Sequence, residues 1–154
     1  MAMVLAVLAG CGSQPTTAPP PPVQSAAPAA APPPVAAAGR LPAPAAVRNW
    51  NDLRMQAARR MMAANPGIVY EGAVPDPLLA IPVLEIELNA DGSVRHIDVM
   101  RVPRQAKDTV QIAIDAVRRA APFGDVSRLP KPWKFSETFL FNDDRKFKPR
   151  TLDL

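Results

Sequence analysis

The sequence predicts an α+β domain: two helices packed on a three-stranded antiparallel sheet, in the chain order α-β-β-α-β and the strand order 2-1-3. Three observations carry this. Apolar and polar residues alternate over 82–89 and again over 93–101, on either side of Asp91-Gly92. Apolar residues recur at three- and four-residue spacing over 49–64 and 105–121. A third alternating run, rich in aromatics, spans 133–142.

In the first helix, residues 49–64, the stripe is Trp50, Leu53, Ala57, Met61 and Ala64, with Arg54, Arg59 and Arg60 mostly elsewhere. This is the spacing of one buried helical face. Asn49 is placed to cap it, and Pro66-Gly67 stops it. The methionines at 61 and 62 are read as core filling rather than a partner surface. Residues 65–81, with three prolines and two glycines, read as a loop.

Over 82–89, Leu84, Ile86 and Leu88 share one face, opposite Glu85 and Glu87. Asp-Gly is a preferred two-residue hairpin turn. Such a turn pairs residues whose numbers sum to 183, so Ile86 faces Ile97 and Leu84 faces Val99. A three-residue turn would set His96 against Ile86 and Asp98 against Leu84. A slip of one residue exchanges the two faces, so the first register is expected. It sends His96 and Asp98 outward, which argues against the single histidine as a catalytic base.

The second helix, residues 105–121, has the stripe Val110, Ala113, Ile114, Val117 and Ala121. Arg118 and Arg119 in its last turn suit the helix dipole, and Pro122 ends it. In the third strand, Trp133, Phe135, Phe139 and Phe141 fall on one face, interrupted by Glu137. A helical crossover makes the third strand parallel to the second, and therefore antiparallel to the first beside it. That leaves the third strand as an edge with unpaired backbone groups. The charged segment from Asp143 reads as a loosely ordered tail.

Ahead of this domain, residues 1–39 contain no Asp, Glu, Lys or Arg, and 11 of the 20 prolines lie between Pro15 and Pro44. The chain therefore divides into 1–10, an apolar leader; 11–47, a Pro/Ala-rich tether; 48–150, the domain; and 151–154, the end of the tail. The tether cannot build a core and favours polyproline II. Extended at ~3.1 Å per residue, it reaches about 110 Å. A domain of about a hundred residues buries roughly 60–65% of its unfolded surface and needs no staple.

The apolar leader is shorter than the ~20 residues a spanning helix needs, and has the length of a signal-peptide apolar region. It ends in Leu8-Ala9-Gly10-Cys11, which matches the bacterial lipobox. Cleavage between Gly10 and Cys11, with acylation (palmitate among the chains) of Cys11, is the expected processing. Two or three acyl chains anchor stably, whereas one does not. Gly12 after the cysteine favours the outer membrane by analogy with enteric sorting, with the domain facing the periplasm. Cys11 is the only cysteine, so no disulfide forms within the chain.

The alternating strand, the turn Asn89-Ala90-Asp91-Gly92-Ser93-Val94, the helix from Ala113 to Phe123, the prolines Pro130 and Pro132, and Phe147-Lys148-Pro149 together resemble the C-terminal domain shared by TonB and TolA envelope proteins. The resemblance covers about residues 50–150. It implies a periplasmic domain that grips an extended segment of a partner protein by strand addition. The matching edge is the backbone of Phe135, Ser136, Glu137, Thr138, Phe139, Leu140 and Phe141. It also implies an accessory role in TonB/Tol-type transport or envelope integrity. A true energy transducer would need a transmembrane helix upstream.

A second class of reading is a structural envelope lipoprotein that binds peptidoglycan or anionic lipid through Arg118, Arg119, Arg128, Lys131 and Lys134. The net charge of +4 suits an anionic surface. An enzyme is the least supported class: the sequence has no nucleophile elbow, phosphate loop or metal-ligand spacing. No cofactor, metal or nucleic-acid partner is expected. A homodimer through exposed strand edges is compatible with the sequence.

Overall fold

The structure, a computed structural model, describes residues 41–153. The leader, Cys11 and most of the tether lie outside them. The elements run α1 (Trp50–Ala64), β1 (Val83–Leu88), β2 (Val94–Arg101), α2 (Thr109–Ala120), β3 (Lys134–Phe141), β4 (Phe147–Pro149) and a 3-10 turn, Arg150–Leu152. The sheet is antiparallel with the order β2-β1-β3-β4. The expected helices, order and first three strands are present, and a fourth strand is added.

The side chain of Asn49 accepts the Asp52 N–H at 2.9 Å and caps α1. The folded part begins before this helix, inside the span expected to be tether. Val47 is buried, Gln56 Nε2 donates to Ala45 O, and Arg60 Nη1 donates to Pro42 O.

The β1–β2 register pairs Leu84 with Val99, Ile86 with Ile97 and Glu87 with His96, as the sum of 183 requires. The turn, however, is the three-residue one. Asn89 N donates to Ser93 O and Gly92 N to Asn89 O, so 90–92 form the loop, with Gly92 at φ +80°. An irregularity between Glu87 and Leu88 absorbs the extra residue and pairs Leu88 with Val94. A bulge has restored the face that the longer turn would have inverted.

One face of the sheet carries Leu84, Ile86, Leu88, Phe135 and Phe139, all buried against the two helices. On α2 the buried residues are Thr109, Ala113, Ala116, Val117 and Ala120. The stripe is rotated from the one expected: Val110 and Ile114 are only half-buried. α1 packs on α2, and both helices bury alanines: Ala57 and Ala58 on α1, and Ala113, Ala116 and Ala120 on α2. Small side chains allow close helix approach, so the contact line follows them rather than the bulkier apolar residues.

The C-terminal segment is ordered, contrary to expectation. Phe147 is fully buried, 5.2 Å from Phe139 and 5.7 Å from Phe141 between ring centroids. β4 is flanked on its other side by 68–70, through Tyr70 N to Phe147 O and Phe147 N to Ile68 O. The third strand is thus not the edge of the sheet.

Candidate functional site

Cys11 and Gly10 lie outside the described residues. His96 sits on the outer face, exposed, with Nε2 3.1 Å from Asp98 Oδ1. Among the described residues no group of three metal-ligating side chains converges, and no helix is long and apolar enough to cross a membrane.

The five cations weighed as an anionic-surface patch have divergent surroundings. Lys134 pairs with Glu85 at 2.9 Å, and that hydrogen bond first, with the negative charges of Glu85, Glu87 and Asp98 beside it, holds its ammonium above the usual lysine range. Lys131 Nζ stands 4.6 Å from the Trp133 ring centroid. Arg119 Nε donates to Asn65 Oδ1. Arg118 and Arg128 are exposed.

The segment Phe135 to Phe141 is mostly interior. Phe135, Glu137, Phe139, Leu140 and Phe141 are buried, and Ser136 and Thr138 are half-buried. Phe139 N donates to Pro82 O and Phe141 N to Ala80 O, so the odd-numbered residues turn their backbone toward β1. The even-numbered residues turn theirs the other way. There Leu140 meets Lys148 of β4, and the Thr138 N–H is taken by Glu137 Oε1 at 3.1 Å. What stays open on this side is a short stretch centred on Ser136.

Glu137 is a residue whose environment sequence reasoning missed. It is 2% exposed, on the core face opposite Leu84. Its Oε1 also accepts the Thr151 N–H, while Oε2 is buried with no partner. Burial pushes its carboxyl up; the hydrogen bonds from Thr151 and Thr138, and Arg54, pull the other way. The alternation of the strand placed it on the inner face; nothing in the sequence showed the 3-10 turn that would cover it.

The opposite edge is different in kind. β2 is eight residues long and pairs only with β1. Its residues 96 and 98 lie opposite Glu87 and Glu85. The β1 residues 84 and 86 use their backbone toward β3, so 85 and 87 use theirs toward β2, and the N–H and C=O groups of Ile97 and Val99 point away from the sheet. The exposed large apolar side chains of the described residues cluster here: Val99, Met100 and Val102, the last two more than half exposed. Between β2 and the end of α2 runs a groove of about 460 Å³, lined by Val94, Arg95, His96, Ile97, Arg118 and Ala121.

Comparison with known proteins finds no matching family model, no similar curated protein and no similar solved structure.

Proposed function

We propose that this chain is a lipid-anchored, periplasm-facing binding module of the bacterial envelope, which takes an extended segment of a partner protein as an added strand on β2. The observation that carries the reading is the open edge of β2: a long strand with outward backbone groups at Ile97 and Val99, beside exposed Val99, Met100 and Val102. Natural sheets cover, charge or shorten such edges, because an unpaired ladder recruits another chain. Main-chain bonds would supply affinity and the flanking groove specificity. The edge expected from the resemblance, on β3, is half occupied by β4, so the open backbone favours β2 instead. Anchoring rests on Leu8-Ala9-Gly10-Cys11, and an accessory role in TonB/Tol-type transport or envelope integrity on the sequence resemblance.

Two measurements test this. Intact mass and membrane fractionation compare the wild type with Cys11→Ser. Acyl chains on residue 11 and sedimentation with outer membranes, both lost in the variant, support the anchor; an unprocessed wild type overturns it. A photo-crosslinking residue at Val102, in cells, should trap a partner protein more strongly than one at Ser136. Equal or reversed yields would move the docking edge away from β2.

A further inference from the structure

We infer that the segment received by β2 is acidic at two points, one at each end of the strand, with small apolar residues between them. The inference rests on the strand-addition reading and adds the chemistry of the partner.

The edge is bounded by cations. At its start, Arg95 and Arg118 flank the groove whose floor is Val94, Ile97 and Ala121. At its end, a second cleft of about 450 Å³ at the open end of the hairpin contains Arg101 and Arg104 with Leu79 and Val102. Among the described residues, no hydrogen bond or ion pair takes up the guanidinium of Arg101, Arg104 or Arg118. Arg95 has only the exposed pair with Glu87 at 3.2 Å, where the two side chains are 66% and 38% exposed. An exposed pair of this kind is weak and exchanges readily.

The nearby carboxylates are engaged elsewhere. Asp98, the one acid on β2, lies on the outer face beside His96. Asp115 accepts Gln111 Nε2, and Asp108 pairs with Arg145 at 2.7 Å. The edge therefore presents positive charge at both ends and an apolar centre at Ile97 and Val99.

An added strand brings its side chains within ~4.5–5.5 Å of their cross-strand neighbours. Six residues separate Arg95 from Arg101, about 20 Å of extended chain at ~3.3 Å per residue. A complementary ligand thus carries carboxylates six residues apart. A second copy of this chain fits less well, because its own β2 would bring the same arginines to the contact.

The test uses the full chain, labelled for NMR, and two capped heptapeptides: Glu-Ser-Val-Gln-Val-Ser-Glu and the same peptide with Lys at both ends. The acidic peptide should bind at least tenfold more tightly, and slow hydrogen exchange at the Ile97 and Val99 amides. R101E/R118E, which alters two exposed side chains, should remove or invert the preference while leaving the spectrum folded. Added salt should narrow the difference.

Equal binding of both peptides, with Ile97 and Val99 protected, would overturn the acidic partner and leave strand addition standing. No protection of these amides by either peptide would overturn strand addition at this edge. Protection that rises with protein concentration alone would assign the edge to a second copy and overturn the inference.

Discussion

The Thr151 N–H donates to Glu137 Oε1 at 3.2 Å, and this contact holds the C-terminal turn against β3. The second carboxylate oxygen, Oε2, and the Thr151 hydroxyl are both buried without a partner. Burial outweighs the hydrogen bonds and raises the carboxyl above its ordinary value. A group with a raised folded pKa stabilises fully below its unfolded pKa, and that contribution is lost as pH rises through the folded value.

Glu137→Gln keeps an acceptor for the two N–H groups and removes the buried charge. The variant should therefore be more stable than the wild type at pH 7, by about 1 kcal/mol. The gap should close as pH falls toward 4.5. Urea unfolding of both proteins across that range checks this. A gap that widens on acidification would mean that Glu137 is stabilised as the carboxylate.

Gly92 and Gly124 meet backbone to backbone. The Phe123 N–H donates to Gly92 O at 2.8 Å and Val126 N to Ala90 O at 2.9 Å, so the hairpin turn docks on the segment after α2. A methyl group on Gly92 would collide with the backbone of Gly124, and φ there is +80°. Gly92→Ala should cost more than about 2 kcal/mol. Gly92→Asn, which tolerates positive φ, should not recover the loss, because the collision remains. Thermal unfolding distinguishes the two causes.

Asn65 joins the helices. Its Nδ2 donates to Met61 O at 2.8 Å and to Ala116 O at 3.2 Å, and its Oδ1 accepts from Arg119 Nε at 2.9 Å. The residue is 4% exposed. Asn65→Ala should destabilise by about 2–3 kcal/mol, since buried groups lose their partners. Arg119→Ala removes one of the three bonds, from an exposed side chain, and should cost about 1 kcal/mol or less. A double-mutant cycle in urea should show coupling between the two.

The register of β1 and β2 was legible because burial of Leu84 and Ile86 forbids a one-residue slip. The loop size was not, because a bulge hides one extra residue from that arithmetic. The helix α2 was legible as a helix, and Ala113 and Val117 of its expected stripe are buried, but Val110, Ile114 and Ala121 are only half-buried, because small residues decide where two helices approach. The strand order 2-1-3 already left β2 outermost on one side. The resemblance points to β3, and β4 is too short for its alternation to stand out among the charged residues around it. Glu137 read as an interruption in an aromatic face; its burial depends on the turn at 150–152, which no local pattern announces.

The strand that leads into that turn carries Phe147, a single aromatic among charged residues, and the charge of Asp143, Asp144, Arg145, Lys146 and Lys148 gives the segment a solvated look. The alternation across β4 resolves this: Phe147 and Pro149 are buried, and Lys148 between them reaches out to Asp153 and Gly72 O. Phe147 fills the space beside Phe139 and Phe141, so Phe147→Ala should open a cavity and cost about 3–5 kcal/mol. Asp143→Ala, four residues earlier and exposed, should change stability by about 0.5 kcal/mol or less. If Phe147→Ala unfolds in urea at the wild-type midpoint, the C-terminal segment contributes nothing to the core, and the β3 edge would be open along its whole length after all.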